Sequence, residues 1–448
     1  MRNLLMIYST ALIVLIIPAV TLAQPVDSIW ARTFYNGGFD SLNWVQETTD
    51  GGFILVGCTK EMTGKDDINL IKTDSDGNLE WNSVIGDTDY ECGYHVLETY
   101  DGGYLVSANS YAFNEGVGVP WIVKTDSDGD TLWTYAYAPE NYNGFPLHAI
   151  QTYDSSFAVT GCINTGGDNQ AFILLLDQDG NFIDWQEYGG DTQHQDGCFI
   201  TQMPDSGFIV TGSDNNLYTT GNYDFRAFRV NKFMGVVWDS SYAITSSYDG
   251  LQGACKIDDG IVMVGIAGGY GWAMKIDFDG NTIWSKNISY AFANEAINAV
   301  CPTEDGGFMV GGWVGVAGHA RDFSFTKLNP DGDTLWQHTV GAYYYDHGES
   351  LVATADGGFV MAGTSSSFYD GTCSYLVKID DYLCGDASGD GSVNIADASY
   401  IINWIFFGGP APDPLLSGDA SGDGNVNIAD ASYIINYIFF GGPGPCEL

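Results

Sequence analysis

The chain has 448 residues, 57 of them Asp or Glu and only 15 Lys or Arg. A formal charge of −42 argues against nucleic acid and anionic membrane as partners, because both would repel it. An aromatic share of 14% and 58 glycines argue against disorder and suit many short strands joined by tight turns.

Residues 1–23 read as a secretory signal. Arg2 supplies the positive start, the apolar run extends from Ala11 to Val20, and Thr21-Leu22-Ala23 offers small residues for cleavage. The run is shorter than the ~20 residues that span a bilayer. No cysteine follows Ala23 to carry a lipid. The expectation is an exported protein that is not an integral membrane protein.

From there to residue 381 the chain repeats. A Trp recurs at 30, 81, 133, 185, 238, 284 and 336. In step with it run the turns Asp50-Gly51-Gly52, Asp101-Gly102-Gly103, Asp154-Ser155-Ser156, Asp205-Ser206-Gly207, Asp258-Asp259-Gly260, Asp305-Gly306-Gly307 and Asp356-Gly357-Gly358. Seven units of about 50 residues, each reading as four strands with turn pairs that tolerate positive φ, predict a seven-bladed β-propeller over 24–381. The first Trp precedes any complete unit and the last unit lacks an outer strand. The segment Ile29–Phe34 is therefore expected to complete the seventh blade and close the ring. Lys-Thr-Asp-Ser-Asp-Gly-Asn-Leu-Glu-Trp (72–81) and Lys-Thr-Asp-Ser-Asp-Gly-Asp-Thr-Leu-Trp (124–133) resemble the repeats of quinoprotein-like propellers. The resemblance implies architecture only, since the adjacent cysteines and cofactor-facing residues of quinoprotein dehydrogenases are not found.

The short Asp-Gly turns fall on one face of such a ring and the long variable loops on the other. The long loops carry Tyr188 and His194, then Tyr343, Tyr344, Tyr345, Asp346, His347 and Glu349. Aromatic planes beside carboxylates suit sugar rings, so these residues are the candidate ligand site, with polysaccharide as the candidate ligand. No catalytic residue is assigned, because no Ser/His/Asp set or Gly-x-Ser-x-Gly elbow occurs. Among nine cysteines, Cys58 with Cys92 and Cys162 with Cys198 show gaps of 34 and 36 residues at matching places in the repeat. Both pairs are expected as bridges between neighbouring blades. Cys255 with Cys301 is a weaker candidate, and Cys373 is left over.

The tail, 384–446, is a near-identical duplication offset by 33 residues. Set on a 12-residue calcium loop, the first copy places Asp386, Ser388, Asp390, Ser392, Asn394 and Asp397 at the ligand positions; the second places Asp419, Ser421, Asp423, Asn425, Asn427 and Asp430. Two Ca2+ ions are expected. The segment 384–448 has eight acids and no Lys or Arg, so its folding should be coupled to the cation. Each loop runs into one apolar helix, expected over 398–407 and 431–440. Cys384 and Cys446 bracket the module and are expected to staple it.

These paired loop–helix units resemble type I dockerins, including Asp at loop position 12. The resemblance implies a cohesin-like partner on a scaffold or cell surface. The apolar helices imply that the partner face comprises Ile395, Ala396, Ile402, Asn403, Trp404, Phe407, Ile428, Ala429, Tyr437 and Phe440. Cellulosomal dockerins often carry Ser or Thr at loop positions 10 and 11, where this chain has Ile395-Ala396 and Ile428-Ala429. That departure implies a partner other than a standard cellulosomal cohesin. Near-symmetry predicts that either copy can face it. The expected function is a non-catalytic binding or adhesion propeller displayed through the tail. The alternatives are a polysaccharide hydrolase or lyase, and a structural surface protein.

Overall fold

The computed structural model describes residues 28–445 apart from 37, 61–63, 87–88, 115, 139–142, 165–168, 190–192, 217–222, 247, 291–294, 317–319, 370, 383, 391, 413–414 and 423–424. The predicted signal segment, Asp423 and Cys446 lie outside the described residues.

The protein is mainly β. Seven antiparallel sheets carry the repeat, six of them built wholly from consecutive strands. Blade 2 is typical, with strands Glu91–Glu98, Tyr104–Ser110, Val119–Thr125 and Thr131–Ala136 running from the inner edge outward. Its middle strands are entirely buried, while the outer strand alternates exposed and half-buried side chains. That pattern is what stacking each blade between two neighbours demands. The seventh sheet takes Asp346–Ala353, Phe359–Tyr369 and Gly371–Ile379, and Trp30–Phe34 pairs antiparallel with the last of these. The ring thus closes between its two ends, as expected.

The repeating Trp is the cement between blades. Trp81, on the outer strand of blade 1, lies over Gly129 in the outer turn of blade 2. Gly129 has φ +82°, and a Cβ there would sit 2.7 Å from the indole. Trp30, Trp133, Trp238 and Trp284 meet Gly77, Gly180, Gly280 and Gly332 in the same way. On the turn face, buried Lys72, Lys124, Lys327 and Lys378 each pair with the turn aspartate of their own blade. Those aspartates are therefore structural anchors.

The inner strands of six blades share a bulge at one register position, occupied by Asn43, Tyr94, Leu147, Gln252, Asn298 and Glu349. In blade 4 the inner strand is split into Gln193–Gln195 and Phe199–Gln202, with Asp196–Cys198 between them.

Only one of the two predicted inter-blade bridges forms. Cys58–Cys92 is a disulfide with Cα atoms 4.9 Å apart, but Cys162 and Cys198 are free. The reason is register. Cys58 and Cys162 both follow the glycine of their second strand, and Cys92 directly precedes Gly93. In blade 4 the residue that precedes the equivalent Gly197 is Asp196, and Cys198 lies two residues further on. Its thiol is 3.5 Å from Asp196 Oδ1 and 3.8 Å from the Leu251 carbonyl. The difference between gaps of 34 and 36 is that two-residue offset. Cys255, Cys301 and Cys373 are also free, so the weaker pairing fails as well.

The C-terminal module packs α1 (Ile395–Phe407) against α2 (Ile428–Phe440) around Ala387, Ala398, Ile401, Ala420, Ala431 and Ile434. Both helices begin three residues earlier than expected. Asn394 and Asn427 cap them in reciprocal boxes with Asp397 and Asp430, so loop positions 10 and 11 form the first helical turn. Gly408 and Gly441 end them in the left-handed conformation. Ile405 is 37% exposed. No helix among the described residues is long and apolar enough to cross a membrane.

Candidate functional site

The described parts of the two loops are folded alike. In the first, Asp397 Oδ1 and Oδ2 accept the Ser388 and Asn394 amides at 2.9 and 2.8 Å. Asp386 Oδ1 accepts the Asp390 amide at 3.1 Å and lies 3.5 Å from Ser388 Oγ. In the second, Asp430 accepts the Ser421 and Asn427 amides at 3.0 and 2.7 Å, and Asp419 lies 3.3 Å from Ser421 Oγ. Ser388 and Ser421 therefore bring positions 1 and 12 together. Asn394 Oδ1 is taken by the Ala396 amide at 2.8 Å, which leaves contact through water as its route to an ion.

These carboxylates fit a hard cation. Asp397 and Asp430 are wholly buried, and Asp386 and Asp419 nearly so, in a segment without a single Lys or Arg. Buried carboxylates in such surroundings need a counter-charge, and the oxygen-only donor set suits calcium. Among the described residues no three acidic, His or Cys side chains gather at one point. The loops offer paired carboxylates plus hydroxyl and carbonyl oxygens instead.

The predicted partner residues divide by exposure. Phe407 and Phe440 are each 77% exposed, and Ile395, Ala396, Asn403, Ile428, Ala429 and Tyr437 also face solvent, whereas Ile402 and Trp404 are half-buried. Phe406 and Phe439, which the sequence argument omitted, are exposed too. The helix ends thus expose apolar side chains among the described residues.

The predicted propeller site comes together only in part. Tyr188 is buried between blades 3 and 4, its hydroxyl donating to the Met234 carbonyl at 3.0 Å, so it is a packing residue. His194 lies in the split inner strand of blade 4, away from the Tyr343–Tyr345 loop in the blade order. Asp346 is fully buried and accepts the Ala342 amide at 2.7 Å. Asp40, Asp249 and Glu295 hold the same register position in other blades and accept the amides of Asn36, Thr245 and Tyr290. This acid is a loop-closing device of the repeat. Glu349 sits at the inner-strand bulge, where burial raises its carboxyl to about 7 against the Asn298 amide at 3.1 Å.

Tyr343, Tyr344, Tyr345 and His347 do form one surface. The backbone between blades 6 and 7 is pinned from both sides. Arg321 bridges to Tyr345, the Tyr344 and Tyr345 amides donate to Ser367 and Ser366 hydroxyls at 3.0 and 3.1 Å, and the Ser366 amide returns to the Tyr345 carbonyl at 2.9 Å. The three tyrosines stay 54–67% exposed on this rigid strip. Trp313 and Arg321 stand beside it, and neither was anticipated; a lone Arg on a long loop carries no spacing signal.

A separate cleft of about 590 Å³ lies between blades 3 and 4. Its acids are already engaged. Asp239 takes two hydrogen bonds from Arg226, at 3.0 and 2.7 Å, and Glu187 accepts the Trp185 indole N–H at 3.2 Å.

Fold and site together define a seven-bladed β-propeller followed by a small two-helix module. Residues 384–439 match the model of the dockerin type I domain, so the tail is a dockerin type I domain on a seven-bladed propeller. Dockerin domains bind cohesins, and those of type I generally bind calcium. No curated protein matches the chain. Similar solved structures include a protein of unknown function from Dyadobacter fermentans, at 9% identity and TM-score 0.43, covering 79% of this chain and 98% of that one. Sqt1 from Chaetomium thermophilum is 12% identical with TM-score 0.46, covering 76% and 83%. Drosophila Plexin A, in a complex with Semaphorin 1b, is 9% identical with TM-score 0.45, covering 82% and 90%.

Proposed function

We propose that this is an exported, non-catalytic carbohydrate-binding propeller, attached to a cohesin-like domain on a scaffold or cell surface through its dockerin. The single observation that carries the binding reading is the pinned strip Tyr343–Tyr345. Three aromatic side chains are held exposed on a backbone fixed from both flanks, and a sugar ring can lie on such planes at little ordering cost. Attachment rests on the two loops, each expected to hold one Ca2+ through positions 1, 3, 5, 7 and 12, and on the uncovered phenylalanines at the helix ends. Export rests on residues 1–23.

A glycan array and a reducing-sugar assay on the mature chain test this together. Binding without release of reducing ends supports it. Release of reducing ends identifies a hydrolase or lyase instead. Neither binding nor release leaves a structural surface protein.

A further inference from the structure

Most described cations of this acidic chain are answered by a carboxylate. Lys72, Lys124, Lys327 and Lys378 reach turn aspartates, and Arg226 and Arg229 pair with Asp239 and Asp205. Arg321 has no ion-pair partner among the described residues, although the chain holds 57 acids. It is instead held by neutral groups. Its Cζ lies 3.7 Å from the Trp313 ring centroid and 5.6 Å from that of Tyr345. Its Nη1 is 2.8 Å from His347 Nε2. A guanidinium only donates, so His347 accepts there as the neutral imidazole. The His347 ring lies nearly parallel to Trp313, at 21° and 5.2 Å. The Arg321 carbonyl accepts the Asp346 amide at 2.9 Å, which ties its backbone to the tyrosine strip.

This is a positioned cation with spare donors at the edge of an aromatic platform. Holding it half-buried without a counter-charge is costly unless something anionic completes it. A planar guanidinium fork matches a carboxylate with two parallel hydrogen bonds. We propose that Arg321 reads a carboxylate on the bound sugar, so that the face between blades 6 and 7 selects glycans containing uronic acid. This inference rests on the sugar-binding reading of that face. The net charge of −42 sets its form. Repulsion from the rest of the chain is screened beyond about 8 Å at physiological salt, so one local pair survives it. A densely charged polyuronate would feel much more of it. Glycans with isolated uronates are the ligands expected.

The test is calorimetric titration of the mature chain with galacturonate, glucuronate and mannuronate trisaccharides, each beside its methyl ester. The ester keeps the rings and removes the charge. At least one acid should bind roughly tenfold to a hundredfold more tightly than its ester, the value of a charge-assisted contact. Arg321→Gln should bring acid and ester to equal affinity by weakening the acid. Arg321→Lys, which keeps the charge but loses the fork, should fall between and stands in if the Gln variant misfolds. Equal binding of acid and ester by the unmodified chain overturns the carboxylate inference and leaves sugar binding standing. A preference that persists in Arg321→Gln also overturns it. No binding to any member overturns both.

Discussion

The imidazoles of His95 and His148, on the inner strands of blades 2 and 3, lie 4.1 Å apart between ring centroids, with Trp44 and Phe199 closing the cluster at 4.4 and 4.8 Å. Both rings are buried, and neither Nδ1 has a hydrogen-bond partner among the described residues. Burial depresses both; His95 is held well below its ordinary value and His148 down to about 3. Above pH ~6.5 native and unfolded states are both neutral at these positions. As pH falls below it, the unfolded chain takes up protons that the native state refuses, and stability drops by about 1.4 kcal/mol per pH unit for each histidine. Glu349, raised to about 7 by burial, works in the opposite sense. Comparison with a His95→Phe/His148→Phe variant separates the two. The urea midpoint of the natural chain should fall more between pH 7 and 5 than that of the variant. Parallel profiles would show that the pair does not titrate as described.

The Trp–Gly contacts between blades give a paired prediction. Gly129 and Gly102 have similar φ, +82° and +81°, but a Cβ at Gly129 meets Trp81 whereas at Gly102 it meets nothing within 4 Å. Gly102→Ala should cost only the backbone term, about 1 kcal/mol. Gly129→Ala should cost a further 1–3 kcal/mol, roughly, because the indole must shift. Urea denaturation of both variants measures the difference directly.

Removal of calcium should unfold the tail and spare the propeller. The buried carboxylates Asp397 and Asp430 have no cationic side chain to replace the ion. Calorimetry is expected to show two transitions, of which chelator abolishes one. Asp397→Ala combined with Asp430→Ala should reproduce that loss in the presence of calcium.

The two helices present the same exposed phenylalanine, Phe407 in α1 and Phe440 in α2, each at 77% exposure. If either copy can face the partner, Phe407→Ser alone should weaken cohesin binding by only about twofold, the loss of one of two equivalent modes. Phe407→Ser with Phe440→Ser should abolish it. Surface plasmon resonance against immobilised cohesin distinguishes this from a single obligatory helix, for which one substitution suffices.

Thiol counting checks the register argument. Cys58–Cys92 is bridged and Cys384 is disulfide-bonded, whereas Cys162, Cys198, Cys255, Cys301 and Cys373 are free. Alkylation of the denatured, unreduced chain should modify these five. Protection of Cys162 and Cys198 would mean that the two blades are bridged after all.

The sequence by itself determined the number of blades, the closing strand and the duplicated tail with its oxygen-rich loops. Each depends on residues close in sequence or on strict repetition: Trp and Asp-Gly-Gly spaced once per blade, and oxygen donors spaced round one loop. What it could not resolve was how the inner edges align. The gaps of 34 and 36 differ by two residues in the sequence, but that this offset leaves Cys162 and Cys198 unbridged shows only once blade 4 is laid beside blade 3. The residues that looked like one candidate site likewise parted in three dimensions. Asp346 closes a loop and Glu349 lines a bulge, while Tyr188 fills an interface between blades. The anchoring of Tyr343–Tyr345 and the placing of Arg321 on Trp313 are decided by tertiary structure alone. They join the blade 6 loop to the blade 7 loop, and a contact across that boundary leaves no periodic trace in either segment.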